Sequence, residues 1–514
     1  MSPTSTDTTA GTWEPGSAAG GMAVAGAIRP EPFLDWQAVW PGTSGYEPDG
    51  RAYLVGAPRG VRLAVQQAVK SARLIEFDRP WEERRPSYPC ALRHGGTYHL
   101  WYGIGTSEQY PHGALCYAHS DDGFTWHRPE LDLYPYGEHR KTNIVYPNRL
   151  EGSVFHDPRD GDFKLVTMES RWLYGDKVLS GDAEALPLRT RLREQGMPDR
   201  ELREVLRLTG ELRGAASPDG IHWKRLEATL MDRFCDTQNV AVYDEERGCY
   251  VAYVRMSRGF RRAVGRSESP EFAVEWPEPQ VVLESDPQDP PTDDLYTNGY
   301  SRYPGGGPFH LMFPAVYYRT RDVLDVHLAV SRDGVLWHRP ERTPIIPMGP
   351  AGGPGDAGMY ASPGVVPLSN GLWGVLCRGI RSRHNEGYAG LETDRDGLLS
   401  WAMWQPDRLV ALQADTDGEL TLGPRECAGG ELRLNYRTEP NGWIKAELIP
   451  PTLWPAEHLA PLAGHSFAEC APLRGDNLSA PVTWNGRSDL AALEGERIAV
   501  RISMSRAKLF SVAC

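Results

Sequence analysis

Five carboxylates stand at nearly the same distance ahead of five tryptophans. Glu82 precedes Trp126, Asp236 precedes Trp276, Asp294 precedes Trp337 and Asp356 precedes Trp401. Each separation is roughly 40–45 residues, a period that marks a repeat. Glu151 keeps the same phase before Trp223 once a charged stretch at about 181–212 is set aside. Acids that recur in phase with a repeat can converge, and convergence has a chemical use. Cleaving an acetal takes one carboxylic acid to protonate the leaving oxygen and a second carboxylate to attack the anomeric carbon or activate water. Crowded carboxylates raise one another's pKa, which keeps one protonated near neutral pH. The competing reading gives each acid a turn to cap at the inner edge of its repeat.

Two of these openings carry more than an acid. In Asp236-Thr237-Gln238-Asn239-Val240 an acid and an amide alternate on one face, with Asn239 beside them. In Asp293-Asp294-Leu295-Tyr296-Thr297-Asn298, the side chains of Asp294, Tyr296 and Asn298 share a face. Carboxylate, amide and phenol groups on a rigid strand suit the fixing of sugar hydroxyls. Trp81, Tyr88 and Tyr360 offer ring faces for stacking. Asp236 is therefore the first catalytic candidate, followed by Glu82 and Asp294. Gln238, Asn239, Tyr296, Asn298, Glu151, Asp157, Asp356, Tyr360, Arg378 and Trp81 are candidates for substrate contact. Asp157 falls in His156-Asp157-Pro158-Arg159-Asp160-Gly161, which also reads as a hairpin turn.

Basic residues cluster twice, as Arg258, Arg261, Arg262 and Arg266, and as Arg378, Arg381, Arg383 and His384. They suit a phosphate or a carboxylated sugar, or else are solvated hairpin tips. The run Gly349-Pro350-Ala351-Gly352-Gly353-Pro354-Gly355 lacks the Gly-Lys-Ser/Thr ending of a phosphate loop and reads as a mobile loop near the mouth. There is no dinucleotide fingerprint, no G-x-S-x-G and no H-E-x-x-H. The eight cysteines are scattered with no spacing suited to zinc, and read as mostly reduced, buried thiols. No metal and no cofactor are expected.

The elements that would position these residues follow from a repeat. Ser120-Asp121-Asp122-Gly123-Phe124-Thr125-Trp126 recurs as S-x-D-G-x-x-W at Ser217 to Trp223 and Ser331 to Trp337. Degenerate copies occupy Ser267 to Trp276 and Asp394 to Trp401. The long first gap, from Trp126 to Trp223, holds the charged stretch at about 181–212, which reads as a helix-like insertion. With it removed, successive tryptophans are roughly 50–65 residues apart, the size of one supersecondary unit. Before each tryptophan an alternating strand, a Gly turn, an aromatic strand and a short strand recur. Three or four antiparallel strands in each of five units predict a five-bladed β-propeller over residues 81–405, its Asp-Gly pairs making tight turns. A disordered tail at 1–21 and a leading β-segment at 22–80 precede it. A C-terminal β-sandwich at 406–514 follows, from alternating runs such as Arg497-Ile498-Ala499-Val500-Arg501-Ile502. The chain is thus expected to be all-β.

Composition agrees. The 54 Gly, 43 Pro and 50 aromatic residues among 514 suit many strands joined by tight turns. A net charge of -13 repels phosphate backbones, which argues against a nucleic-acid partner. Mean hydropathy is -0.47 and no apolar run approaches the length of a membrane-spanning helix, so no membrane span is expected. The first basic residue is Arg29 and the early apolar stretch, Met22 to Ile28, is short; with no signal-peptide pattern, a cytoplasmic location is expected.

On Asp78-Arg79-Pro80-Trp81-Glu82, Cys235-Asp236-Thr237-Gln238-Asn239, Leu295-Tyr296-Thr297-Asn298 and the S-x-D-G-x-x-W copies, the chain resembles five-bladed propeller glycosidases of families 32 and 43. It looks most like bacterial proteins with a family 32-like N-terminal propeller, and Leu434-Asn435-Tyr436 and Trp484 to Leu490 extend the likeness. The resemblance implies a nucleophile or base, an orienter and an acid on the first three blades. By position these fall on Glu82, on Glu151 or Asp157, and on Asp236. The W-M-N-D-P-N-G opening and the Glu-Cys acid motif of the invertases are absent, so fructan specificity is not implied. The expected activity is that of a glycosidase-like enzyme on a glycoside or sugar-like metabolite. The alternatives are a glycoside phosphorylase using the arginine clusters, or a carbohydrate-binding protein without turnover.

Overall fold

The computed structural model describes residues 29–514 apart from 47, 83–86, 106, 108, 111, 148–150, 180–181, 386–396 and 452–459. The tail expected at 1–21, the stretch Met22 to Ile28 and the Asp394–Asp396 part of the last motif copy lie outside the described residues.

Sheets follow one another along the chain, antiparallel except where Leu324 of the fourth bridges Gly358 of the fifth, with the inner strands Ser87–His94, Ser153–His156, Val240–Asp244, Ser301–Arg302 (preceded by Asp293–Leu295) and Gly358–Pro367. The first inner strand touches the second, the second the third, the fourth the fifth, and the fifth the first. Asn298 makes the remaining link, its Nδ2 donating to the carbonyls of Gln238 at 3.4 Å and Tyr253 at 3.2 Å. A closed ring of such sheets is the β-propeller that the repeat predicts.

Strands between two neighbours must be apolar on both faces, and the sequence supplies this. In Thr97–Ile104, the side chains of Tyr98, Leu100 and Tyr102 pack with Leu376 and Trp401 of the fifth blade. Trp101 points the other way, into a cluster with Phe163 and Leu165 of the second.

The motif S-x-D-G-x-x-W joins one blade to the next. Asp122 Oδ1 accepts from the backbone N–H groups of Phe124 and Thr125, both at 2.7 Å, and Ser120 Oγ accepts from Gly123 N–H at 2.9 Å. The copies at Asp219 and Asp333 repeat this. The motif glycine takes a positive φ, +81°, +74° and +71° in the three copies, and its carbonyl accepts an aromatic donor from the preceding blade. Trp401 Nε1 reaches Gly123 at 2.7 Å, Trp101 Nε1 reaches Gly220 at 2.8 Å and the Tyr253 hydroxyl reaches Gly334 at 2.9 Å. Trp401 is therefore not a motif tryptophan: it lies within the strand Leu398–Trp404. Counting from it measures a different part of the blade, although Asp356 still opens the fifth inner strand.

Two tests follow from these joints. A Cβ at Gly220 would meet Trp101 Cζ2 at 2.6 Å, whereas one at Gly161, with φ +80°, meets nothing within 4 Å. Gly161→Ala should cost about 1 kcal/mol from the left-handed backbone alone, and Gly220→Ala several times that, measured by urea unfolding. The motif aspartates govern acid stability. Burial pushes the Asp122 and Asp219 carboxyls up, but backbone N–H donors outweigh it and hold both at about 2. An acid with a lowered folded-state pKa contributes stability that is complete above its unfolded value near 3.9 and lost as pH falls through the folded value. The thermal midpoint should therefore fall between about pH 4 and pH 2, and Asp219→Asn should flatten that fall. A variant curve parallel to wild type would refute the assignment.

The leading segment is not free-standing. Val69–Lys70 pairs with Ala402 and Met403 and supplies the outer strand of the fifth blade, closing the ring with N-terminal chain. Glu31–Pro32 and Arg62–Val65 pair instead with the C-terminal strands Arg497–Ala513 and Val410–Glu426. After residue 406 the strands Val410–Glu426, Arg433–Ile449, Asp476–Pro481 and Arg497–Ala513 form one continuous six-stranded sheet with those two. β-Bulges interrupt its long strands between Ala414 and Asp417 and between Thr438 and Trp443. Its apolar face shares a core with Val326, Leu328 and Trp373 of the last two blades. Of the stretch expected to be helix-like at about 181–212, Asp182–Glu194 and Asp199–Val205 are helices between the second and third strands of blade two, and from Leu206 onward it is already the third strand, Leu206–Ser217.

Candidate functional site

Each inner strand runs away from the segment that opens it, so the openings meet at one end of the ring. There they join the hairpins between second and third strands, including Arg258–Arg261 and Tyr318–Val323. The turns between inner and second strands fall at the opposite end. Asp157 lies in one of these, fully buried, with its Oδ2 accepting from Tyr250 at 2.6 Å and its Oδ1 from Arg159 N–H at 3.0 Å. It ties blade two to blade three, away from the mouth.

Glu82 and Trp81 bind within the first blade. Glu82 accepts from the Tyr102 hydroxyl at 2.6 Å and from Arg128 Nη1 at 2.7 Å, and Trp81 Nε1 donates to Asn143 Oδ1 at 2.8 Å. Burial pushes the Glu82 carboxyl up against these hydrogen bonds. Among the described residues its side-chain partners belong to blade one, and Arg79 N–H donates to it from the preceding segment at 3.1 Å.

The amides are consumed in positioning. Asn239 Nδ2 donates to the carbonyls of Cys235 and Thr237, both at 2.9 Å, and its Oδ1 accepts from Arg255 N–H at 3.1 Å. These bonds fold the loop that carries Asp236. Asn239 N–H also donates to the Glu151 carbonyl at 3.0 Å, which sets the buried Glu151 beside that loop. Gln238 Nε2 donates to the carbonyl of Pro89 at 2.9 Å, locking blade three to blade one beside Tyr88. Asn298, Asn239 and Gln238 are all buried and bind backbone rather than solvent.

Toward the mouth, Asp236 stands among guanidinium groups. Asp236 is 36% exposed and forms an ion pair with Arg255. Arg255 and Arg262 both lie over the Tyr296 ring, at 5.9 and 4.6 Å from its centroid. Burial, then the charge of Arg262, lowers the pKa of Arg255, as expected for two cations held close together. Asp294 is 0% exposed, 2.7 Å from Arg262 Nη1 and 2.6 Å from Arg319 Nη2. The acid expected to be catalytic on blade four is thus wholly buried and paired with two arginines.

On the fifth-blade side the Tyr360 hydroxyl and His384 Nδ1 are 2.9 Å apart, the His384 ring lies edge-on to Tyr296 at 4.9 Å, and Arg378 lies over Tyr360. Asp356 Oδ2 accepts from Gly352 N–H at 2.8 Å and so closes the Gly-rich loop. Backbone strain points to the same place. Tyr88, Phe260 and Asp322, at φ +45°, +68° and +58°, are the propeller's non-glycine residues with positive φ among the described residues, and all three sit at this mouth.

Sequence reasoning missed Arg255 and Arg319. Arg255 had a signal, since it interrupts the apolar run Val251-Ala252-Tyr253-Val254 in a strand interior. Arg319 had none, because its role depends on a hairpin of blade four meeting one of blade three.

No protein-family model matches the sequence, and no curated protein matches it. Solved structures do. The chain is similar to the catalytic domain of a Coprinopsis cinerea GH62 α-L-arabinofuranosidase, with 12% identity, a TM-score of 0.41, and 66% of this chain and 97% of that one covered. It is similar to a member of the GH130 family of mannoside phosphorylases, which contains glycoside hydrolases that target β-1,2 mannosidic linkages (13% identity, TM-score 0.38, covering 75% and 96%). It is also similar to an N-acetylgalactosamine deacetylase from F. plautii in complex with blood group B trisaccharide (13% identity, TM-score 0.41, covering 67% and 95%).

Proposed function

We propose that this protein is a glycosidase-like enzyme that acts on a glycoside or sugar-like metabolite at the propeller mouth. The observation that carries the reading is Asp236, a solvent-facing carboxylate on a loop fixed by Asn239, beside Arg255, Arg262 and Tyr296. Asp236 is assigned the acid/base or nucleophilic role. Glu151, which opens the neighbouring inner strand, is the candidate for the second carboxylate.

A second reading has its own support. Hydrolysis by two carboxylates needs both at the scissile bond, and Glu151, the candidate partner of Asp236, is buried. Phosphorolysis needs one acid, because a phosphate oxygen attacks the anomeric carbon in place of water. Guanidinium groups such as Arg255, Arg262 and Arg319 suit that phosphate. A mass-spectrometric turnover screen on furanosides, pyranosides and oligosaccharides, with and without inorganic phosphate, separates the two. Phosphate-dependent release of a sugar phosphate establishes the phosphorylase; phosphate-independent release of free sugar establishes the hydrolase. Binding without turnover by wild type would replace both with a carbohydrate-binding role.

A further inference from the structure

Phe260 breaks two local rules at once. The hairpin it belongs to pairs Arg258 with Arg261 and leaves Gly259 and Phe260 as a two-residue loop, with φ +54° and +68°. A loop with positive φ at both positions favours Gly or Asn at the second, and a bulky aromatic there is strained. The ring gains nothing from the fold in return, because Phe260 is 99% exposed. A residue that strains the backbone and leaves its apolar surface in water has no structural reason to be phenylalanine.

Its position supplies a reason. Arg319 Nη2 donates to the Phe260 carbonyl at 3.0 Å and also lies 2.6 Å from Asp294 Oδ2. Two residues beyond Phe260, Arg262 pairs with the same carboxylate and covers Tyr296. The hairpin tip is thus pinned to the mouth through one guanidinium, with the ring projecting from the rim.

We infer that Phe260 is a rim platform on which a sugar ring stacks, one or more units away from the bond handled at Asp236, so that the preferred substrate is an oligosaccharide rather than a monoglycoside. This rests on the glycoside reading above. The negative face of an aromatic ring attracts the C–H groups on the flat side of a pyranose or furanose. A fully exposed ring on a pinned hairpin offers that face without rearrangement.

The test uses the full chain and four defined series: manno-, arabino-, xylo- and gluco-oligosaccharides of two to five units, beside the matching methyl monoglycosides. Affinity is measured by ligand-observed NMR for wild type, Phe260→Ala, Phe260→Trp and Phe260→Gly, with sedimentation run on each protein. For the series that wild type binds, Phe260→Ala should weaken the longer members about tenfold and leave the monoglycoside unchanged. Phe260→Trp should retain the longer members, and Phe260→Gly should raise the thermal midpoint while losing them. Unchanged affinity in Phe260→Ala, or equal loss on monoglycoside and oligosaccharide, overturns the platform and leaves the glycoside reading standing. A wild-type dimer that becomes monomeric in Phe260→Ala overturns it in favour of contact with a second copy of the chain. Wild type that binds none of the four series overturns the oligosaccharide platform, while the glycoside reading is decided separately by the turnover screen.

Discussion

Asp236→Asn is expected to lower turnover of whichever glycoside the screen identifies by two to four orders of magnitude, the range a positioned acid or base contributes. The amide keeps the shape and removes the charge and the proton chemistry. Asp236 is partly exposed, but Arg255 is only 18% exposed and lies beside Arg262, so losing the partner charge should cost about 1–3 kcal/mol. Loss of turnover in a variant that remains folded is the signature sought. Retained turnover would remove Asp236 from the chemistry and pass the role to Glu151, the other acid at this loop.

Asp294→Asn is expected to behave in the opposite way. Its carboxylate is buried between Arg262 and Arg319, and removing one member of such a group leaves uncompensated buried charge, at about 3–5 kcal/mol. Arg319 is 42% exposed and can turn toward water, which places the loss at the lower end, about 3 kcal/mol. Urea unfolding measures it. Adding Arg262→Gln to the variant should recover part of the loss, since the double change removes charge on both sides. If Asp294→Asn instead unfolds like wild type and abolishes turnover, Asp294 is a catalytic carboxylate, as the spacing of the acids first suggests.

The contrast between these two aspartates shows what periodicity can and cannot reveal. Both precede an inner strand in the same phase, and by phase alone both face a common mouth. Phase follows from the chain's own repeat and is visible in one dimension. Exposure is not. Asp294 is buried because Arg262, 32 residues earlier in the chain, reaches it from the neighbouring blade. Glu82 likewise turns toward Arg128 within its own blade, a contact across 46 residues that no spacing announces.

The propeller is legible in the chain's own repeat. The S-x-D-G-x-x-W copies, the helical insertion and the loop bearing Asp236 all follow from local rules: an aspartate that caps backbone N–H groups, a glycine that accepts positive φ, and strands that alternate with period two. Which blade each guanidinium enters is set in the assembled ring, as is the use of N-terminal strands to complete both the last blade and the C-terminal sheet. The burial of Asp294 beside the partial exposure of Asp236 is set there too. Those outcomes depend on pairings between distant segments. Their free energy comes from burial and charge in the assembled ring, and no stretch of the chain contains both partners.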